Sequence, residues 1–130
     1  MSVRGDLADA LAAAIAPDFP AIQVYATPDD VTQLPAVVLA PGDPWAVPTS
    51  LGKAGSRVYE WSYLVQVCVL RADPRSALDT LEALWFLVLE GAGTLGGAAR
   101  SLGAPASVEL AGVQALVAEC EVQLMTTRQE

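Results

Sequence analysis

Few residues of this 130-residue chain could do chemistry, and the absence of histidine narrows the field first. Histidine is the side chain whose ordinary pKa lies near neutrality, so acid–base work would fall to shifted carboxylates, tyrosines or a thiol. Ser-His-Asp and Cys-His nucleophilic systems are excluded. Glu119 and Glu121 have the spacing at which two carboxylates share one face of a strand. Gln123 continues that row and apolar residues alternate with it, which is the pattern of a solvated strand face. Gly91-Ala92-Gly93-Thr94-Leu95-Gly96 matches a dinucleotide fingerprint letter for letter, with Glu109 downstream where an acidic residue is expected. The fingerprint works only between a strand and a helix N-terminus, and here the glycines follow a helical pattern, so helix termination is the better account. Leu51-Gly52-Lys53-Ala54 lacks the upstream glycine and the Ser/Thr of a phosphate loop.

Metal chemistry fares no better. Asp29, Asp30 and Asp43 do not have calcium-loop spacing, and Cys68 and Cys120 without histidine cannot supply the four ligands of a structural zinc site. Both cysteines lie in apolar stretches and read as buried thiols, with a disulfide left open. The row Tyr59, Trp61, Tyr63 could stack nucleobases, but such grooves carry a basic rim, and only Lys53, Arg57 and Arg71 lie nearby. A core or interface face is expected instead. The sequence predicts no catalytic residue, no cofactor and no metal.

The elements that must position these residues follow from composition and period. With 53% hydrophobic and 17% charged residues the chain reads as one globular domain spanning 1–130. Seven basic against fifteen acidic side chains give a charge of −8, which opposes binding to nucleic acid or anionic lipid. The N-terminus meets acidic residues before any apolar run, and Leu84–Leu89 falls far short of the roughly 20 residues that span a bilayer, so a soluble cytoplasmic product without membrane contact is expected.

Asp6 is placed to cap a first helix, Asp6 to Ala16, whose Leu7, Leu11 and Ile15 form one stripe before Pro17. Short strands are predicted at Ile22–Tyr25 and Ala36–Ala40, the second covered on both faces at Val37-Val38-Leu39. Pro41 to Ser56, rich in proline and glycine, reads as a long loop carrying the apolar Trp45, Val47 and Leu51. Arg57 to Arg71 alternates strictly and predicts a strand of about 50 Å at 3.3 Å per residue, against a radius of gyration near 14 Å for a domain of this size. It should overhang its domain, its backbone groups satisfied by water, by a bent hairpin partner or by another subunit. Asp73-Pro74 opens a second helix with Leu78, Leu81, Trp85 and Val88 inward, ended by Gly91. After a Gly/Ala-rich link, Ala92 to Ala106, come strands at Ser107–Leu110 and Gln114–Thr126, turned at Gly112. The expected class is α+β: a mixed, mainly antiparallel sheet packed against two helices, with a protruding β-hairpin arm or long loop.

This order of elements resembles the tail terminator proteins of long-tailed bacteriophages. The likeness is carried by the opening helix, the Gln33-Leu34-Pro35-Ala36-Val37-Val38 entry into a strand, the Pro/Gly loop, the aromatic strand Arg57-Val58-Tyr59-Glu60-Trp61-Ser62-Tyr63-Leu64-Val65, the Asp73-Pro74 helix with its glycine-rich end, and a terminal strand rich in Val and Leu. The resemblance implies a structural virion protein without enzyme activity. Identical subunits would close the tail tube as a hexameric ring, touching the tail tube protein below and a head-completion or neck protein above.

DNA would pass through such a ring without specific binding, which an acidic lumen favours. Glu60, Glu119 and Glu121 are the candidate lumen charges. Trp45, Val47, Leu51, Tyr59, Trp61 and Tyr63 are the candidate subunit contacts. The alternatives are another connector, tail-completion or minor tail subunit, or a small-molecule-binding α+β domain with Trp85, Trp61 and Cys68 lining its pocket.

Overall fold

Leu7, Leu11 and Ile15 recur every four residues, and in the computed structural model, which describes residues 2–49 and 56–129, all three are fully buried on α1 (Val3–Ile15). Burying each of these side chains contributes about 1.5–3 kcal/mol. Ser2 rather than Asp6 caps the helix, its hydroxyl accepting the Gly5 N–H at 2.9 Å, while Asp6 lies in the first turn where the helix dipole favours an acid. Asp73 and Pro74 open α2 (Pro74–Thr94) as predicted. The helix does not stop at Gly91, which lies inside it and is buried. Its inward stripe is Ala77, Leu81, Leu84 and Val88; the expected Leu78 faces solvent, and Trp85 is half-buried.

The strands are β1 (Val24–Tyr25), β2 (Ala36–Thr49), β3 (Ser56–Leu70), β4 (Ala98–Ala99), β5 (Ala106–Leu110) and β6 (Val113–Gln129). They form one sheet in the order β1-β2-β3-β6-β4, with β5 also on β6; β1 pairs parallel with β2 and the other pairings are antiparallel. The architecture is α+β, as expected. Only Val24–Tyr25 of the first predicted strand is paired, and the link after α2 contains β4.

The largest departure is Pro41 to Thr49, which is strand and not loop. Proline forbids a central strand because it cannot donate to a ladder on both sides, but β1 covers the other edge of β2 only at Val37 and Val38, and from Pro41 to Thr49 the strand pairs with β3 alone among the described residues. Between the pairs Pro41↔Tyr63 and Ala46↔Trp61 the strand bulges, so that four residues of β2 face Ser62 alone. Gly42 makes this possible: a Cβ there would lie 2.9 Å from the Ser62 carbonyl oxygen. Leu51 and Lys53 fall outside the described residues, as does the side chain of Asp29.

Of the backbone partners expected for the long strand, the structure supplies ones within the chain. β6 pairs with β3 from Ser56↔Gln129 to Leu70↔Ala115, and β2 takes its other edge, so the long strand finds its backbone partners within its own chain. At 1.5 Å per residue α1 and α2 are about 20 and 30 Å long, against about 50 Å for β3. The helices are thus shorter than the strand they cover, and Tyr59 and Trp61 toward its N-terminal end are half-buried.

Val37, Leu39, Val65, Val67, Cys120 and Val122 fill the main core under the helices. Val31, Ala36, Val38, Cys68, Leu110 and Ala115 form a smaller core on the opposite face, which fulfils the expectation of cover on both sides of Val37-Val38-Leu39. Between β5 and β6 a two-residue turn places Ala111 at φ 54° and Gly112 at φ 77°. This hairpin geometry suits Asn-Gly, and alanine in the left-handed region costs roughly 1–2 kcal/mol. Ala111→Asn is expected to raise stability by about 1 kcal/mol, read as a higher urea midpoint at unchanged slope.

Candidate functional site

The aromatic end of the sheet and the N-terminus of α1 enclose an open groove of about 1120 Å³. Strict alternation brings Tyr59, Trp61 and Tyr63 to the helix side of β3, where they form the floor with Thr126 of β6 opposite Tyr59. The Trp61 indole N–H donates to the Thr126 hydroxyl at 2.8 Å and is thereby fixed in orientation. Trp45 comes off the β2 bulge and packs edge-to-face on Trp61 and Tyr63, with ring centroids 6.0 and 6.4 Å apart, while remaining 46% exposed. Across the groove stands Arg4, whose guanidinium makes two long 3.3 Å hydrogen bonds to the Leu39 carbonyl.

One polar atom of this groove is unsatisfied. Tyr63 is 0% exposed, and its hydroxyl has no hydrogen-bond partner. Burial pushes its pKa up, with Trp45 and Arg4 beside it acting in the opposite direction.

The opposite face of the sheet is helix-free and acidic. Leu64 pairs with Glu121, Gln66 with Glu119, and Val47 with Glu60, so all three candidate carboxylates share this face. Glu119 accepts from Gln66 at 3.1 Å, and Glu121 accepts from Gln123 at 2.8 Å with Arg100 4.0 Å away.

No protein-family model matches the chain, and no curated protein shows significant sequence similarity to it. The geometry alone therefore decides among the residues singled out by sequence. It gathers Trp45, Tyr59, Trp61 and Tyr63 into one site and separates Val47, which pairs with Glu60 on the other face. It does not bring together Trp85, Trp61 and Cys68: Cys68 packs in the small core on the face opposite Trp61, so these three line no common pocket. Cys68 and Cys120 are free and lie on opposite faces of the sheet.

Gly91 of the dinucleotide fingerprint is spent on helix packing, since a Cβ there would meet the Ala10 carbonyl oxygen at 3.0 Å. Among the described residues no cluster of acids and cysteines could hold a metal, and no helix is long and apolar enough to cross a membrane. Sequence reasoning missed Arg4 and Thr126, which reach the groove only through the packing of distant segments.

Proposed function

We propose that the chain is a structural subunit of a bacteriophage virion, a tail terminator whose identical copies close the tail tube as a ring, six to the turn, and offer the surface to which the filled head attaches. The observation that supports this reading is a self-paired sheet with an open aromatic groove on one face and a row of carboxylates on the other. A ring requires a heterologous contact, one patch meeting a different patch on the next copy, and a lumen that does not hold DNA. The aromatic groove serves the first need. The face bearing Glu60, Glu119 and Glu121 serves the second when it looks inward, since a negative wall repels the phosphate backbone. On this reading the subunit needs no cofactor, and its partners are further copies of itself, the tube protein and a neck protein.

Light scattering combined with particle images tests the proposal. Rings of six with a central channel, either at once or on concentration, are the expected result. A strict monomer up to roughly millimolar protein, where even a contact of about 4 kcal/mol is populated, would overturn it. Rings with the three glutamates on the outer wall would remove the lumen assignment.

A further inference from the structure

The aromatic groove carries two opposite charges that do not pair with each other. Arg4 and Asp6 both line it from α1, and residues two apart on a helix do not face one another. Neither makes an ion pair among the described residues: Arg4 is held by its two long hydrogen bonds to the Leu39 carbonyl, and the Asp6 carboxylate has no partner. A single free charge selects an ion of the other sign. Two of them, opposite and apart, select a molecule that carries both.

The rings select the kind of cation. Trp45 stands at 74° to Trp61 and at 79° to Tyr63, and with Trp45 46% exposed and Tyr59 and Trp61 half-buried the groove offers a corner of aromatic faces. A cation over the faces of Trp and Tyr is attracted by the ring quadrupoles, and quaternary ammonium groups are recognised in this way. Hydrogen-bond acceptors are scarce beside the rings. The Ser2 hydroxyl is occupied by the Gly5 N–H and the Thr126 hydroxyl by the Trp61 indole, while the Tyr63 hydroxyl is buried, which leaves the Asp6 carboxylate and the Thr127 hydroxyl. A primary ammonium brings three donors that need acceptors, whereas a trimethylammonium brings none and lays its methyl groups on the rings.

We propose that this groove binds a zwitterionic quaternary ammonium compound of the phosphocholine type, its trimethylammonium in the corner of Trp45, Trp61 and Tyr59 with Asp6 as counter-charge, and its anion on Arg4. The open groove of about 1120 Å³ has room for such a molecule. The inference goes beyond the ring reading and stands without it; where a neighbouring copy covers the groove, ligand and copy compete.

Titration of the full chain with phosphocholine, followed by tryptophan fluorescence and by the melting temperature, tests the proposal. Saturable binding that raises the melting temperature is the expected result. Phosphoethanolamine, the same anion on a primary ammonium, is expected to bind roughly tenfold more weakly, and Trp45→Ala to weaken phosphocholine binding by a similar factor, with circular dichroism confirming its fold. Arg4→Gln abolishes the preference for phosphocholine over choline, which has no anion, while Asp6→Asn weakens both. Sedimentation with phosphatidylcholine vesicles separates two sources of the same group: protein that pellets takes it from a lipid, protein that binds phosphocholine and stays in solution takes it free, and either supports the site. No saturation by about 50 mM phosphocholine, equal affinity for phosphoethanolamine, or undiminished binding by Trp45→Ala would overturn it. None of these results bears on whether copies form a ring, which the scattering experiment reads separately.

Discussion

Between pH 9 and pH 11 the folded protein is expected to lose about 4 kcal/mol of stability, and two thiols account for the loss. Cys68 and Cys120 are buried on opposite faces of the sheet, and burial pushes each from an ordinary value of 9.0 up to about 11. For Cys120 the nearby Glu119 carboxylate pushes the same way, and Trp85 acts against it.

The unfolded chain releases both protons near pH 9, whereas the folded chain holds them until about pH 11. Within that window the unfolded state binds fewer protons, so stability falls as pH rises; below it the two thiols impose no slope. Each thiol contributes a slope of about 1.4 kcal/mol per pH unit in the middle of the window and about half that at its two ends. Tyr63, also pushed up by burial, adds a loss of the same sign at the alkaline end. Urea melts under reducing conditions at neutral pH, pH 9 and pH 11 measure the effect. A variant carrying Cys68→Val and Cys120→Val should keep most of its stability across the window. If that variant loses as much as the parent, the thiols are not the titrating groups.

The same burial shows where the sequence was legible. Leu7, Leu11 and Ile15 recur at a helical period, and Tyr63, Val65, Val67 and Val69 at a strand period, so their inward faces follow from spacing alone. The wholly apolar Val37-Val38-Leu39 announced two cores, and both are present. Pro41 to Thr49 was not legible, because proline excludes a central strand and says nothing against an edge.

Alternation also failed across the bulge. Trp45 and Val47 are two residues apart and should share a face, yet Trp45 lies on Tyr63 while Val47 pairs with Glu60 on the other side. Three extra residues on β2 reverse the parity of everything beyond Pro41. The groove itself could not be read from the chain, because Arg4 and Trp45 belong to unrelated local patterns and meet only through the docking of α1 across β2. The acidic face was half-legible: Glu119 and Glu121 share it by spacing, but Glu60 joins them through the register of β3 against its neighbours.

Gly91→Leu is expected to destabilise the fold by about 3 kcal/mol, the upper end of what overpacking a well-filled core costs. Gly91 looks like a helix terminator in sequence, since glycine favours the residue after a C-terminus. In the structure α2 runs on through it to Thr94, and it is buried where α1 and α2 cross. A Cβ at this position would lie 3.0 Å from the Ala10 carbonyl oxygen and 3.1 Å from the Leu11 Cα. Both are backbone atoms of α1, so no side-chain rotation relieves the contact, and α1 as a unit would have to move away from Leu84 and Val88.

Alanine separates the two opposing effects at this site. It regains about 1 kcal/mol of helix propensity relative to glycine while adding a single methyl group to the crossing, so Gly91→Ala should lie near the parent. Leucine brings the same propensity with a side chain that the crossing cannot admit. Thermal melts of the three proteins therefore rank Gly and Ala together and Leu well below. A leucine variant as stable as the parent would show that the helices do not approach as closely as this crossing requires. The groove-forming N-terminus of α1 would then have lost its anchor, because Arg4 is held over the sheet by the same helix that Gly91 admits.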